Sequence, residues 1–295
     1  MSFNITRHLV ALGICGAFLG CTRLDDPQGT IDEDLSPISI LSIKKVSDGI
    51  DNSYNGQAGQ GFAIHGQVAY RFYNTGICQT YDIKDIEAPI KLSSFPLRSF
   101  RANNHSNCAQ FASNSEGTPL LYVSGLSGKC YVERMRPDGS ELIQTLTLPS
   151  MEAYNISTTM NIICGDDGYL WAFGSALTNN ALSFVKLRRP DVAEGDIPFT
   201  AEDILDYWTE ENYIYSSSVW QGGMVYDGLL YFVFGTQGSN RHIAVYDTAT
   251  RQKIHDIDLN KDVSEEPEDC DLVDGIIILT INGGNGYYVI NLEKK

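Results

Sequence analysis

Residues 221–236 read QGGMVYDGLLYFVFGT, and residues 60–75 read QGFAIHGQVAYRFYNT. Gln60-Gly61 falls on Gln221-Gly222, and both stretches continue with an alternating or apolar run, a turn containing glycine, and a second run rich in Val, Tyr and Phe. This is the period-two pattern of a β-hairpin. A third copy, EDCDLVDGIIILTIN, starts at Glu268 and places Asp274-Gly275 on Asp227-Gly228. One hairpin cannot bury its own apolar faces, so a recurring hairpin implies that the copies stack on one another.

Working outward from these copies gives five groups of strands. The first, 60–98, holds FAIH, QVAYRFY, ICQTYDI and PIKLSSFPL, and the second, about 104–149, holds CAQFA, PLLYVSG, CYVERMRP and ELIQTLTLP with a turn at Pro137-Asp138-Gly139. The third runs from Asn155 through MNIICGDDG, YLWAFGS and LSFVKLRR to an irregular outer segment, in which TAEDILDYWTEEN (200–212) reads as a helix with Thr200 as N-cap and Asp203 at the third helical position. The fourth, 221–259, is the most regular, and the fifth, from Glu268, supplies three strands only. PISILSIKKV (37–46) alternates like a strand and has no group of its own, so it is expected as the outer strand of the fifth. That arrangement is a single all-β domain over 37–295, a β-propeller of five four-stranded blades whose last blade is closed by the N-terminal strand, which covers the terminal edge. The stretch SDGIDNSYNGQAG (47–59) is too polar to make a sixth blade.

With 295 residues, 43% of them hydrophobic, the chain can bury a large core, and its formal net charge of −16 excludes a nucleic-acid partner, whose phosphates call for Lys and Arg. Neutral or cationic ligands suit such a surface. Apart from Cys15 and Cys21 there are five cysteines, Cys78, Cys108, Cys130, Cys164 and Cys270, an odd number without a CxxC pair. They are expected as small buried hydrophobes, and no metal site is expected.

The first 20 residues read as a signal peptide, with Arg7 and His8 ahead of LVALGICGAFLG (9–20). The ending Phe18-Leu19-Gly20-Cys21 resembles a lipobox, which implies acylation of Cys21 and a membrane partner reached through that lipid. Residues 21–36 then form the lipidated Cys and a flexible acidic tether. Arg23 and Asp25-Asp26 resemble the signal that sends lipoproteins to the outer face of the outer membrane, so an outer-membrane, cell-surface address is expected.

The repeat also places a candidate site. The innermost strands open with Gln60, Asn161, Gln221 and Glu268, and the second blade offers His105 or Asn107. These polar side chains would ring one mouth of the central channel and receive a ligand. The run YWTEENYIYSSSVW carries Tyr207, Trp208, Tyr213, Tyr215 and Trp220, whose rings suit the faces of sugars, while Lys129 and Arg241 sit in corresponding turns over the channel. The acidic run Asp262 to Asp271 lacks the spacing of a calcium loop, and GGNG (283–286) has no following helix, so no cofactor is expected. The expected function is ligand capture, with a glycan as the candidate partner. The enzymatic alternative is a polysaccharide hydrolase or lyase using Glu268 and His105 as acid and base, with Asp269 pointing to the other side of its strand.

The stretches NNHSNCAQF, TPLLYVSG, FTAEDILDYW, WQGGMVYDGLLYFVFGTQGSN and EEPEDCDLVDGIIILTINGGNGYYVINL resemble an uncharacterised group of five-bladed propeller lipoproteins of Bacteroidota-type bacteria, over most of residues 100–292. The resemblance implies the fold and an envelope location, and no activity. That group reads Glu-Pro-Glu-Gly near its last blade; this chain keeps Glu266-Pro267-Glu268 and has Asp269 in place of the glycine.

Overall fold

The repeated Asp-Gly pairs set the hairpins. Asp227 and Gly228 adopt φ of 52° and 75°, and Asp274 and Gly275 adopt 51° and 78°. Two successive left-handed residues make the turn whose twist matches that of the strands it joins. The structure, a computed structural model, describes residues 37–100, 105–114, 116–126, 128–148, 150, 152–154, 161–175, 181–192, 195–210 and 219–294. The signal, Cys21 and tether expected over 1–36, together with Tyr213 and Tyr215, lie outside the described residues.

The first strand, β1 (Ile38–Val46), pairs antiparallel with the last, β22 (Tyr287–Lys294). The blades between them follow in chain order. Blade one comprises β3 (Gln57–His65), β4 (Val68–Tyr73), β5 (Ile77–Asp82) and β6 (Ile90–Pro96), and blade two β7 (Ala109–Ser113), β8 (Pro119–Gly125), β9 (Lys129–Arg136) and β10 (Gly139–Thr147). Blade three comprises β11 (Asn161–Cys164), β12 (Tyr169–Ser175), β13 (Leu182–Arg188) and β15 (Ile204–Glu210). Blade four is β16 (Trp220–Tyr226), β17 (Leu229–Thr236), β18 (Ser239–Asp247) and β19 (Gln252–Asp258). Blade five is β20 (Glu266–Val273), β21 (Ile276–Asn282) and β22, with β1 outermost, so the N-terminal strand closes the fifth blade.

Two additions and one correction concern the irregular parts. Asn55 and Gly56 form a further two-residue turn that folds β2 (Ser53–Tyr54) onto β3. The segment β14 (Gly195–Pro198), from the long connection inside blade three, pairs in parallel with β10 and covers the outer edge of blade two. The helix expected over 200–212 is instead a single 3-10 turn, Ala201–Asp203, followed by β15. The cap itself forms, with the Thr200 N–H donating to Asp203 Oδ2 at 2.8 Å. Pairing with β13 then wins over helix propagation, because it stacks Trp208 on Phe184 with ring centroids 4.7 Å apart.

The core is divided as a ring of blades requires. Among the described residues five apolar clusters each join two neighbours: Phe72 with Val123 for blades one and two, Val132 with Val185 for two and three, Phe173 with Phe232 for three and four, Val245 with Ile277 for four and five, and Val289 with Phe62 for five and one. Five interfaces between five blades close the circle. All five body cysteines are free and buried within it.

Candidate functional site

The dipeptides that open the repeat are β-bulges. Register shifts fall between Gly59 and Phe62 in blade one, between Trp220 and Gly223 in blade four, and between Pro267 and Cys270 in blade five. Gln60-Gly61, Gln221-Gly222 and Glu268-Asp269 therefore occupy the same irregularity in three inner strands. A bulge leaves residues outside the ladder and re-aims them, which is how both members of each pair come to face inward.

At this level one side chain reaches the inner strands of several blades. Asp269, expected to point to the other side of its strand, instead turns to the axis. Its Oδ2 accepts the N–H of Phe62 at 2.8 Å and of Ala109 at 3.2 Å, while its Oδ1 accepts those of Gly223 at 2.7 Å and Cys270 at 2.9 Å. One carboxylate thus ties the inner strands of blades one, two, four and five. The bulge explains the difference, because inserting a residue cancels the alternation on which the expectation rested. Beside it, Arg71 is fully buried on β4 and crosses to blade five, where its guanidinium donates to Thr280 Oγ1 at 2.6 Å and to the Ile281 carbonyl at 2.8 Å.

Above Asp269 lies a polar floor. Gln60, Asn107, Gln221 and Glu268 are all buried, Glu268 with 1% of its surface exposed. Gln60 Nε2 donates to Glu268 Oε1 at 3.5 Å, and Gln221 Nε2 donates to the Gly235 carbonyl at 3.3 Å and to Glu266 Oε1 at 3.1 Å. Burial pushes the Glu268 carboxyl well above its ordinary range, with Arg71 opposing and Glu266 and Asp269 reinforcing. Burial drives Asp269 the same way, opposed by its backbone donors. Those donors fill both Asp269 oxygens, whereas Glu268 is met only by the long bond from Gln60 and by the Asn282 side chain.

The solvent-facing rim is a different set. Asn161 donates to the Gln221 carbonyl at 2.9 Å, Asn282 donates to Glu266 Oε2 at 3.2 Å, and both asparagines and Glu266 are partly exposed. His105 is exposed in a left-handed conformation, φ 66°, and its N–H donates to the Asn74 carbonyl at 2.6 Å. Partial burial lowers its imidazole below the usual value, and the charge of Glu266 opposes this.

Of the expected site residues, Gln60, Asn107, Asn161, Gln221, Glu268 and His105 do gather at one end of the channel. The acid–base pair of Glu268 and His105 is not assembled: Glu268 is sealed, no hydrogen bond joins the two among the described residues, and the carboxylate acting on His105 is Glu266. Trp208 and Trp220 pack against the core between blades three and four and do not form an exposed platform. Arg241 is buried beside the backbone of Gly235, whose carbonyl accepts Gln221, and donates through Nη2 to the Asn260 carbonyl at 3.2 Å, while its Nε and Nη1 have no hydrogen-bond partner among the described residues. Lys129 is exposed at the start of β9. Sequence reasoning missed Glu266, Asn282 and Arg71. The signal for Arg71 was a lone charge in the apolar run VAYRFY, and for Glu266 its place two residues before the aligned position. Among the described residues no group of three or more His, Cys, Asp and Glu is arranged to hold a metal ion.

No family model matches the sequence, and no curated protein matches it. Solved structures do. A glutaminyl cyclase of Myxococcus xanthus aligns with a TM-score of 0.50 at 14% identity, over 87% of this chain and 96% of that one. A GH43 β-1,3-galactosidase aligns with 0.49 at 13% identity, over 84% of this chain and 60% of that one. A catalytically inactive virginiamycin B lyase of Staphylococcus aureus, solved with quinupristin, aligns with 0.45 at 11% identity, over 85% and 99%. At such identities the likeness is one of fold, and the propeller is what this chain shares with the cyclase.

Proposed function

We propose that this protein is a lipid-anchored propeller on the cell surface which binds a neutral, hydroxyl-rich ligand, a glycan, at the rim formed by His105, Asn161, Glu266 and Asn282. The supporting observation is the composition of that rim: Glu266 and Asn282 from blade five and Asn161 from blade three, connected through the buried Gln221, with the His105 imidazole ahead of blade two under the influence of Glu266. Carboxamides and a neutral imidazole both donate and accept, which is what sugar hydroxyls require. The rim sits on a floor whose bulged backbone is fixed by Asp269, so its groups are held ready before a ligand arrives. The anchor rests on Cys21 and the tether on residues 22–36, which let the body reach material outside the membrane.

A glycan array probed with the full-length protein in mild detergent tests this reading. Neutral glycans should bind, and Asn161→Ala, Glu266→Ala and Gln221→Ala should each weaken binding without changing the fold. Absence of binding to every glycan, or variants that alter stability alone, would remove the reading.

A further inference from the structure

The inner strands of all blades run the same way, so the residues that end them gather at the face opposite the rim. There a cavity of about 290 Å³ opens between blades one, two and three, lined by His65, Phe111, Ser113, Asp166 and Arg189 among others. It is separate from the polar rim and does not rest on the reading given to it.

Arg189 is its most informative member. The chain has 37 acidic against 21 basic residues, yet this half-buried guanidinium makes no ion pair with a described carboxylate. Its Nη2 donates to the Ser113 carbonyl at 2.8 Å and its Nη1 to Cys164 Sγ at 3.5 Å, with the Tyr122 ring 5.9 Å from Cζ. Burial pushes the Cys164 thiol up to about 12, so this partner brings no compensating charge. Asp167, the carboxylate whose charge reaches Arg189, is already paired with Lys186 at 3.3 Å. The group is thus oriented by two bonds, and its remaining N–H groups have no acceptor among the described residues. A fixed guanidinium with spare donors is suited to a carboxylate or phosphate oxygen pair.

The rest of the cavity selects between those anions. Phe111 and His65 form one wall, their centroids 5.1 Å apart at 34°, an apolar face of the kind that sugar rings cover. Asp166, exposed, also lines the cavity, and its Oδ2 accepts the Asp227 N–H at 3.0 Å. A doubly charged phosphate would be repelled by this second carboxylate, whereas hydroxyl groups would donate to it. A ring with one carboxylate and several hydroxyls uses every feature. We propose that this face holds a second site, which takes an acidic monosaccharide unit with its carboxylate on Arg189, its ring against Phe111 and a hydroxyl on Asp166.

Calorimetric titration of the full-length protein in mild detergent with D-galacturonic acid, its methyl ester, D-galactose and inorganic phosphate tests this. Galacturonic acid should bind saturably, and at least about tenfold more tightly than galactose or the ester, the size of one lost charge-assisted contact. Arg189→Gln should lose that margin, Arg189→Lys should retain part of it, and Arg98→Gln, which removes an exposed cation elsewhere, should leave it intact. If Arg189→Gln does not fold, the acid-against-ester comparison on the wild type still decides. Equal binding of acid and ester, tighter binding of phosphate, or unchanged affinity in a folded Arg189→Gln would each overturn the proposal.

Discussion

Asp269 in blade five occupies the position held by Gly222 in blade four, and a Cβ placed on Gly222 would overlap Asp269 Oδ1. The two residues are complementary: three inner strands carry the same bulge, two of them leave its second position empty of side chain, and the third fills the shared space with a carboxylate. The glycine of the repeated Gln-Gly pair is thereby explained by close approach at the axis. Gly61 serves likewise, since a Cβ there would overlap the Ser106 carbonyl that accepts the Gly61 N–H at 2.8 Å.

Removing the carboxylate should loosen the whole ring. Asp269→Ala strands the N–H groups of Phe62, Ala109 and Gly223, and each stranded buried donor costs about 1–3 kcal/mol. Because such losses add only in part, chemical denaturation should show a deficit of about 3–5 kcal/mol. A deficit below about 1 kcal/mol would mean that water replaces the carboxylate at little cost.

Gly222→Ala should destabilise by about 1–3 kcal/mol through overpacking. In an Asp269→Gly background the same change should be less costly, since the overlapping atoms are gone. A double-mutant cycle measures this, and strict additivity of the two changes would show that the overlap is relieved some other way.

The repeat, the blade count and the closing role of 37–46 were legible in the sequence because alternation and Asp-Gly turns are local signals. The bulges were not, since an inserted residue leaves the surrounding alternation intact and shifts only its phase. This is why Gln60, Gln221 and Glu268, expected to ring the mouth of the channel, are instead buried, with Glu266 and Asn282 partly exposed beside them. Residues 200–212 misled for another reason: a genuine cap at Thr200 and Asp203 precedes ILDYWTE, whose outcome is decided by Phe184 on the neighbouring strand. The parallel pairing of Gly195–Pro198 with β10 has no local signature at all.

Stability should fall as pH rises through the weakly acidic range, in part through Asp271. Burial pushes this carboxyl up to about 7, opposed by the N–H groups of Ile64 and Leu272. In the unfolded chain it titrates near 3.9, so between about pH 4 and 7 the folded state holds a proton that the unfolded state has lost. Its contribution is therefore complete below about pH 4 and gone above about pH 7. Asp271→Asn should flatten this part of the profile in melting curves taken across the range, and a slope equal to that of the wild type would assign the effect to other groups.

The cellular address should depend on one atom. Cys21→Ser removes the thiol that acylation needs, and no described residue belongs to this segment. The variant should take up no labelled fatty acid and leave the detergent phase, with an unchanged melting temperature. Equal detergent partition after signal removal would show that the chain reaches the membrane by another route. Replacing Arg23, Asp25 and Asp26 with Ala should preserve the lipid while reducing protease access on whole cells.

The central claim is that the rim above Asp269 is where a neutral glycan is held, and a crystal structure of the protein with the strongest-binding neutral oligosaccharide from the array tests it most directly. The account predicts sugar hydroxyls about 3 Å from Glu266 and from Asn161 or Asn282, with Asp269 unmoved beneath them. Sugar bound on an outer blade edge, with only water at the rim, would contradict it.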